Sequence, residues 1–111
     1  MKIAVPLVDG SLSMHFGHCD QFAVMDMDDD GKVVSREDKT PPRHEPGVLP
    51  AWLHELGTTH IISGGMGSRA QQLFAQQGIK VIVGAPFKQP EELAEACAAG
   101  MLEGGDNICD H

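Results

Sequence analysis

Apolar and polar positions alternate from Lys2 to Leu7, with Ile3, Val5 and Leu7 on one side, and Pro6 and Asp9-Gly10 limit the run. A period of two over a short segment closed by turn formers predicts a β-strand. Gln21 to Met27 is predicted as a second strand with apolar residues on both sides, Phe22 and Val24 on one and Ala23, Met25 and Met27 on the other. Asp29-Asp30-Gly31 then reads as a hairpin turn, which makes Lys32 to Lys39 an antiparallel third strand. Val33 and Val34 are its apolar residues, and Arg36, Glu37, Asp38 and Lys39 supply the charge that keeps an edge strand from pairing with other chains.

Beyond the loop Thr40 to Glu45 the period lengthens. Leu49, Trp52, Leu53 and Leu56 stand at i, i+3, i+4 and i+7, one stripe of a helix predicted over Pro46 to Leu56 and terminated by Gly57. Thr58 to Ser63 is predicted as a strand and Gly64-Gly65-Met66-Gly67 as a tight turn, while Ala70, Leu73 and Phe74 mark a second helix closed by Gly78. Ile79 to Val83 is the last predicted strand. A third helix starts at Gln89-Pro90-Glu91-Glu92, with proline in its first turn and carboxylates at the positive end of its dipole, and Gly100 closes it. Gly104 to His111 has no periodicity and is expected to be a flexible tail, leaving residues 1–103 as one domain.

The order of elements is therefore βββαβαβα. Two crossovers through helices require the later strands to run parallel, and the right-handedness of such crossovers puts helices on both faces of the sheet. The predicted fold is α/β, a three-layer α/β/α arrangement around a five-stranded mixed sheet of order 3-2-1-4-5 with the first strand in the centre.

Length and composition narrow the class. A chain of 111 residues suffices for a single core, and 41% hydrophobic with 22% charged residues is the balance of a globular domain rather than of a disordered or membrane chain. No apolar run approaches the ~20 residues that span a bilayer. The N-terminal MKIAVPLVDG is too briefly apolar for a secretory signal, so a cytoplasmic location is expected. The formal net charge of -8 opposes a sequence-independent grip on nucleic acid, which needs a basic surface to release counterions. Any bound anion must be held by local donors. Cys19, Cys97 and Cys109 are too few and too unevenly spaced for a disulfide framework and form no Cys-x-x-Cys pair, so reduced thiols are expected.

The loops after the first and fourth predicted strands lie side by side at the carboxyl edge of the sheet, where open α/β sheets bind ligands. The first, Ser13-Met14-His15-Phe16-Gly17-His18-Cys19-Asp20, brings the imidazoles of His15 and His18 between the sulfurs of Met14 and Cys19. Such donors suit copper, iron, zinc or sulfide clusters better than magnesium or calcium. Polar loop histidines that bond backbone carbonyls would produce the same string. The second loop, Ser63-Gly64-Gly65-Met66-Gly67-Ser68-Arg69, joins a glycine turn to the amides of a helix start, the outline of an anion site to which Arg69 adds a charge. A closely packed turn needs the same small residues.

Met66 reads more readily as core than as ligand, and Cys97, on a stripe with Leu93, as a buried small hydrophobe. Cys109 and His111 place a thiol and an imidazole on the tail, where they either clip a metal or trail in solvent. Arg43 and His44 read as solvated loop residues, and Asp28-Asp29-Asp30 as a solvated turn, since no ordered ladder of calcium ligands follows it.

Together, His15-Phe16-Gly17-His18-Cys19-Asp20-Gln21-Phe22, Gly64-Gly65-Met66-Gly67, Ala70, Gly78-Ile79 and Val83-Gly84-Ala85 resemble the nitrogenase iron-molybdenum cofactor biosynthesis family, with its carrier domains of the NifX and NifB type. The likeness covers nearly the whole chain. Its length and Cys-Asp-His ending are most similar to stand-alone members of the orange-protein type, which hold a molybdenum-copper sulfide cluster without covalent attachment. The resemblance implies a fold similar to ribonuclease H. It also implies a metal-sulfur cluster, either a Mo-Cu sulfide or an Fe-Mo-S precursor, resting on His15, Phe16, Gly17, His18 and Cys19 and on Gly64, Gly65, Met66, Gly67 and Arg69. Cofactor-assembly or recipient proteins are the partners it implies. His15, His18 and Cys19 are the candidate metal donors, with Cys109 and His111 of the tail beside them.

Carriage or storage of a cluster, without catalysis, is the function expected. The alternative is a metal-independent regulatory or scaffold module that contacts partner proteins through the same loops, because a fold can be kept while its use changes. Nuclease or phosphoryl-transfer chemistry would need clustered carboxylates to hold two metals. Asp9 lies near the first strand, but the fourth, Thr59-His60-Ile61-Ile62-Ser63, ends without an acid, so no enzymatic activity is expected.

Overall fold

The computed structural model describes residues 1–12, 19–42, 47–85 and 88–100. The strands are β1 (Lys2–Val8), β2 (Ser11–Leu12), β3 (Gln21–Met27), β4 (Val33–Lys39), β5 (His60–Ile62) and β6 (Lys80–Ile82), and the helices are α1 (Val48–Glu55), α2 (Ser68–Gln76) and α3 (Pro90–Ala98). The sheet order is β4-β3-β1-β5-β6, the arrangement that periodicity and crossover handedness predict, with β2 paired to β1 off this path. β1 runs antiparallel to β3 from Lys2↔Asp26 to Leu7↔Gln21 and parallel to β5 through Ile3 and Ala4. β3 and β4 are antiparallel, and β5 and β6 are parallel.

Alternation along the strands divides the core between the two faces of the sheet. Ile3, Val5, Leu7, Ala23, Met25, Met27 and Ile62 form one cluster with Leu93 and Ala94 of α3. Ala4, Phe22, Val24 and Ile61 form the other with Leu49 and Leu53 of α1 and Phe74 of α2. Helices therefore cover both faces, giving the expected three layers. Enclosure from both sides explains why the central strand has no polar residue between Lys2 and Asp9.

The departures from expectation have local causes. β2 was not predicted, and β5 and β6 are three residues each, shorter than the predicted runs. α1 spans Val48–Glu55; Leu56 caps it and Gly57 turns the chain at φ 87°. Pro46 lies outside the described residues. Arg36 bonds Glu91 of α3 as well as Asp38, so part of the charge on β4 ties the strand to a helix in addition to guarding its edge. Asp28 Oδ1 accepts the N–H groups of Asp30 and Lys32 at 2.9 and 2.8 Å, which makes the acidic run a turn, as its sequence suggests. Cys97 is half-buried rather than enclosed, because it borders a groove along the uncovered edge strand β6 with Val81 and Ile82. Arg43, His44 and the segment 101–111 lie outside the described residues, and among those described no helix is long and apolar enough to cross a membrane.

Candidate functional site

β1, β5 and β6 are parallel, so the chain leaves all three at one edge of the sheet. After β1 it turns at Asp9-Gly10, with φ 52° and 84°, a left-handed pair that aspartate tolerates and glycine favours, and that folds two strands into a tight hairpin. β2 returns along β1 with Leu7↔Leu12 and Val8↔Ser11. A strand has two edges, and β3 occupies one of them at Leu7. β2 must therefore use the other, which is also the edge that pairs with β5. The short hairpin thus carries the chain to the side of β1 from which the β5–α2 turn departs. Asp-Gly is the sequence signal for it, read above only as a stop.

The described chain pauses at Leu12 in the cluster on the α3 face and resumes at Cys19 in the cluster on the α1–α2 face. His15, Phe16, Gly17 and His18 fall between these points, outside the described residues. The two stems are joined, because Asp20 N–H bonds Leu7 O at 2.8 Å and Asp9 N–H reaches Asp20 Oδ2 at 3.4 Å.

The turn after β5 has a definite polarity. Gly84 N–H donates to Gly64 O at 2.9 Å, the Ser63 hydroxyl to Gly65 O at 2.9 Å, the Gln71 side-chain amide to Met66 O at 2.9 Å and Gln71 N–H to Gly67 O at 3.1 Å. Four consecutive carbonyls are each engaged by a protein donor. The amides of Ser68, Arg69 and Ala70 open α2 and have no intrahelical acceptors. α2 has no side-chain cap bond and no acidic residue in its first turn. The turn therefore presents donors with its carbonyls already satisfied, and the helix dipole adds to its preference for negative charge.

The predicted residues divide accordingly. Gly64 and Gly65 are buried, whereas Gly67 sits in ordinary extended backbone at φ -62°, ψ 153°, with nothing within 4 Å of where a Cβ would stand. Gly67 is thus the glycine at which added atoms test binding without disturbing packing. The Met66 side chain is enclosed in the core, so its contribution to the surface of the turn is its backbone. Arg69 is exposed in the first turn of α2. Cys19 is 7% exposed, and burial, reinforced by Asp20, outweighs a backbone hydrogen bond and pushes its thiol up to about 11.

Cys97 is not brought to this edge. It shares its groove with His60 and Lys80, which open β5 and β6 at the opposite end, and its thiol is raised by burial against the opposing effect of Lys80. Cys109 and His111 lie outside the described residues. Among the described residues, no three His, Cys, Asp or Glu side chains gather as a metal-holding group. Sequence reasoning named Ser63 in the second loop and Gly84 in the family string without giving either a role, and did not single out Gln71; these three are the donors that give the turn its polarity.

Known proteins resemble this chain in sequence and in fold. An uncharacterized protein of Methanocaldococcus jannaschii is 31% identical over 109 residues, which span 94% of this chain and 87% of that protein. The crystal structure of PH0822 superposes with a TM-score of 0.82 at 27% identity, covering 95% of this chain and 96% of that one. The apo form of the orange protein from Desulfovibrio gigas has the same fold, with a TM-score of 0.72 and 22% identity over 96% of this chain and 93% of that one. The profile of the dinitrogenase iron-molybdenum cofactor family matches residues 1–100, from the first strand to the glycine that ends α3, and the chain belongs to that family.

Proposed function

We propose that this protein binds an anionic metal-sulfur cluster at the carboxyl edge of its sheet and carries or stores it in the cytoplasm, unchanged, for metallocofactor assembly. The supporting observation is the Gly64–Gly67 turn, whose carbonyls are all engaged while, among the described residues, no side chain caps the first amides of α2. A sulfide cluster is a bulky, soft anion. Amide donors meet its sulfur atoms, and the imidazoles of His15 and His18 suit its metals. With a net charge of -8 the chain offers no long-range attraction. At physiological salt the Debye length is about 8 Å, so distant carboxylates are screened and short contacts decide. A Mo-Cu sulfide is the first cargo to test and an Fe-Mo-S precursor the second, with a cofactor-assembly protein as recipient. Cys19, held as a neutral thiol, is the weakest member of the predicted donor set.

Anaerobic reconstitution with tetrathiomolybdate and copper, followed by gel filtration with absorbance and metal content read on the protein peak, tests the proposal. The native chain should elute with metal. The double substitution His15→Ala with His18→Ala should weaken retention by about a hundredfold or more, the loss of two charge-assisted contacts of roughly 1.5–3 kcal/mol each. A native chain that elutes free of metal would favour the metal-independent scaffold reading. Full metal on the double variant would move the cargo away from these histidines.

A further inference from the structure

We infer that the free edge of β6 is a docking site for an extended segment of another protein, one in which two aliphatic residues are followed by a carboxylate. The inference does not depend on what the carboxyl edge of the sheet holds. β4 and β6 are the two outer strands of the sheet. β4 is guarded by paired charges, Arg36 with Asp38 and with Glu91 of α3, and Lys39 with Glu37. β6, Lys80-Val81-Ile82, has one charge, no carboxylate and no proline. Its inner side is occupied: Lys80 N–H bonds Thr59 O at 3.0 Å, and Ile82 O accepts Ser63 N–H at 2.9 Å. Alternation turns the N–H and C=O of Val81, between them, to the outer side. Among the described residues no strand pairs with that side and no backbone group bonds Val81 from it.

A groove of about 800 Å³ runs along this edge. Val81 packs with the α1–α2 cluster and Ile82 with the α3 cluster, so the groove has a wall on each face of the sheet. A strand laid along β6 sends alternate side chains to the two walls. Antiparallel pairing is the more stable arrangement per residue, and side chains directly opposite one another share a face. An antiparallel segment therefore needs an aliphatic residue opposite Ile82, another opposite Val81 and a carboxylate opposite Lys80, in that order along its own chain. Lys80 is exposed and, among the described residues, takes part in no ion pair. No described carboxylate lines the groove, although the chain has 16 Asp and Glu in 111 residues. His60 lines it too, but burial and Lys80 hold that imidazole below its ordinary pKa, so Lys80 carries the positive charge there at neutral pH. The same lysine disfavours a second copy of this chain. Pairing β6 with β6 about Val81 would set two Lys80 side chains diagonally on one face, between chains that each carry a net charge of -8.

Titration of the full chain with the labelled peptide Gly-Thr-Ile-Val-Glu-Thr-Gly, read by fluorescence anisotropy at neutral pH, tests the assignment beside the same peptide with Lys in place of Glu. The Glu peptide should bind about fivefold more tightly than the Lys peptide, because an opposite-charge pair across the strands replaces a like-charge one. Lys80→Glu should reverse that order, a gain that misfolding does not produce. Val81→Pro deletes the outward N–H and leaves the bonds of Lys80 and Ile82 on the inner side, so it should lose the Glu peptide while its thermal unfolding stays cooperative. In hydrogen exchange the Val81 amide should become protected when the peptide binds, whereas the Lys80 amide, already bonded, should change little. If the native chain binds neither peptide, Lys80 only guards the edge and the proposal is overturned. Equal affinity for the two peptides, or binding without protection of Val81, overturns it as well. A dimer in sedimentation that Val81→Pro dissolves gives the edge to a second copy, and binding confined to a chain ending at Gly100 gives it to the protein's own last residues. Either result removes the external partner and leaves the carrier reading untouched.

Discussion

Replacing Gly67 by aspartate should set stability against cargo. Gly67 is the N-cap of α2, its backbone at φ -62° and ψ 153° suits any L residue, and nothing stands within 4 Å of a Cβ there. Among the described residues no side chain caps the helix. The new carboxylate would accept the amides of Arg69 and Ala70. Three gains follow: reduced freedom of the unfolded chain, about 0.4–1 kcal/mol; a better cap than glycine, a few tenths; and a negative charge at the positive end of the dipole, about 0.3–1 kcal/mol. Together they stabilise by about 1–2 kcal/mol, roughly 4–8 °C in Tm for a domain of this size.

The same carboxylate occupies the donors and places negative charge where the cluster is proposed to rest. Loading should fall by a factor on the order of a hundred or more. Thermal unfolding followed by circular dichroism, run beside anaerobic loading, reads both effects, with Gly67→Ala as the variant that adds a methyl group without a cap or a charge. A less stable aspartate variant would refute the open N-cap. A more stable variant that loads fully would show that these amides do not hold the cargo.

Three further outcomes follow from burial. The Cys19 thiol, raised from its ordinary 9.0 to about 11, should resist iodoacetamide at pH 8 in the folded chain and react after unfolding, as read by peptide mass spectrometry. Because its folded value lies above its unfolded one, its contribution to stability is complete below about pH 9 and is lost as pH rises toward about 11. Rapid labelling of the native thiol, or equal stability at both ends of that window, would contradict its burial. Phe74→Ala removes a fully enclosed ring between α2 and the sheet and should cost about 3–5 kcal/mol, a large part of the ~5–15 kcal/mol of an ordinary domain. A urea midpoint that barely moves would mean that α2 is not packed as described.

Much of the architecture is legible along the chain because it depends on near neighbours. The alternation of Ile3, Val5 and Leu7 and the helical spacing of Leu49, Trp52, Leu53 and Leu56 are set within a few residues. So are the stops at Gly57, Gly78 and Gly100, whose φ values of 87°, 75° and 71° suit glycine. The handedness of crossovers then reduces the possible sheet orders to the one observed. The Asp9-Gly10 hairpin was readable from the same local chemistry, yet β2 was not. Two residues have no period, and Ser11–Leu12 is a strand by virtue of pairing with Leu7 and Val8.

What the candidate site offers is decided at longer range. Its glycines and histidines are visible in the sequence, as is the nearness of Cys19 to His18. The chain itself does not show that the Cys19 side chain joins the α1–α2 core, because burial belongs to the packed sheet. Nor does it show that Gly67 adopts a backbone open to any residue, or that protein donors engage each carbonyl of the turn. That polarity needs Ser63, Gln71 and Gly84 to converge on one turn from the end of β5, the body of α2 and the end of β6. The sequence alone determines periods, stops and the residue types at the sheet edge. Tertiary structure decides which of their polar groups are already paired, because a hydrogen bond between distant segments exists only once strands and helices have packed.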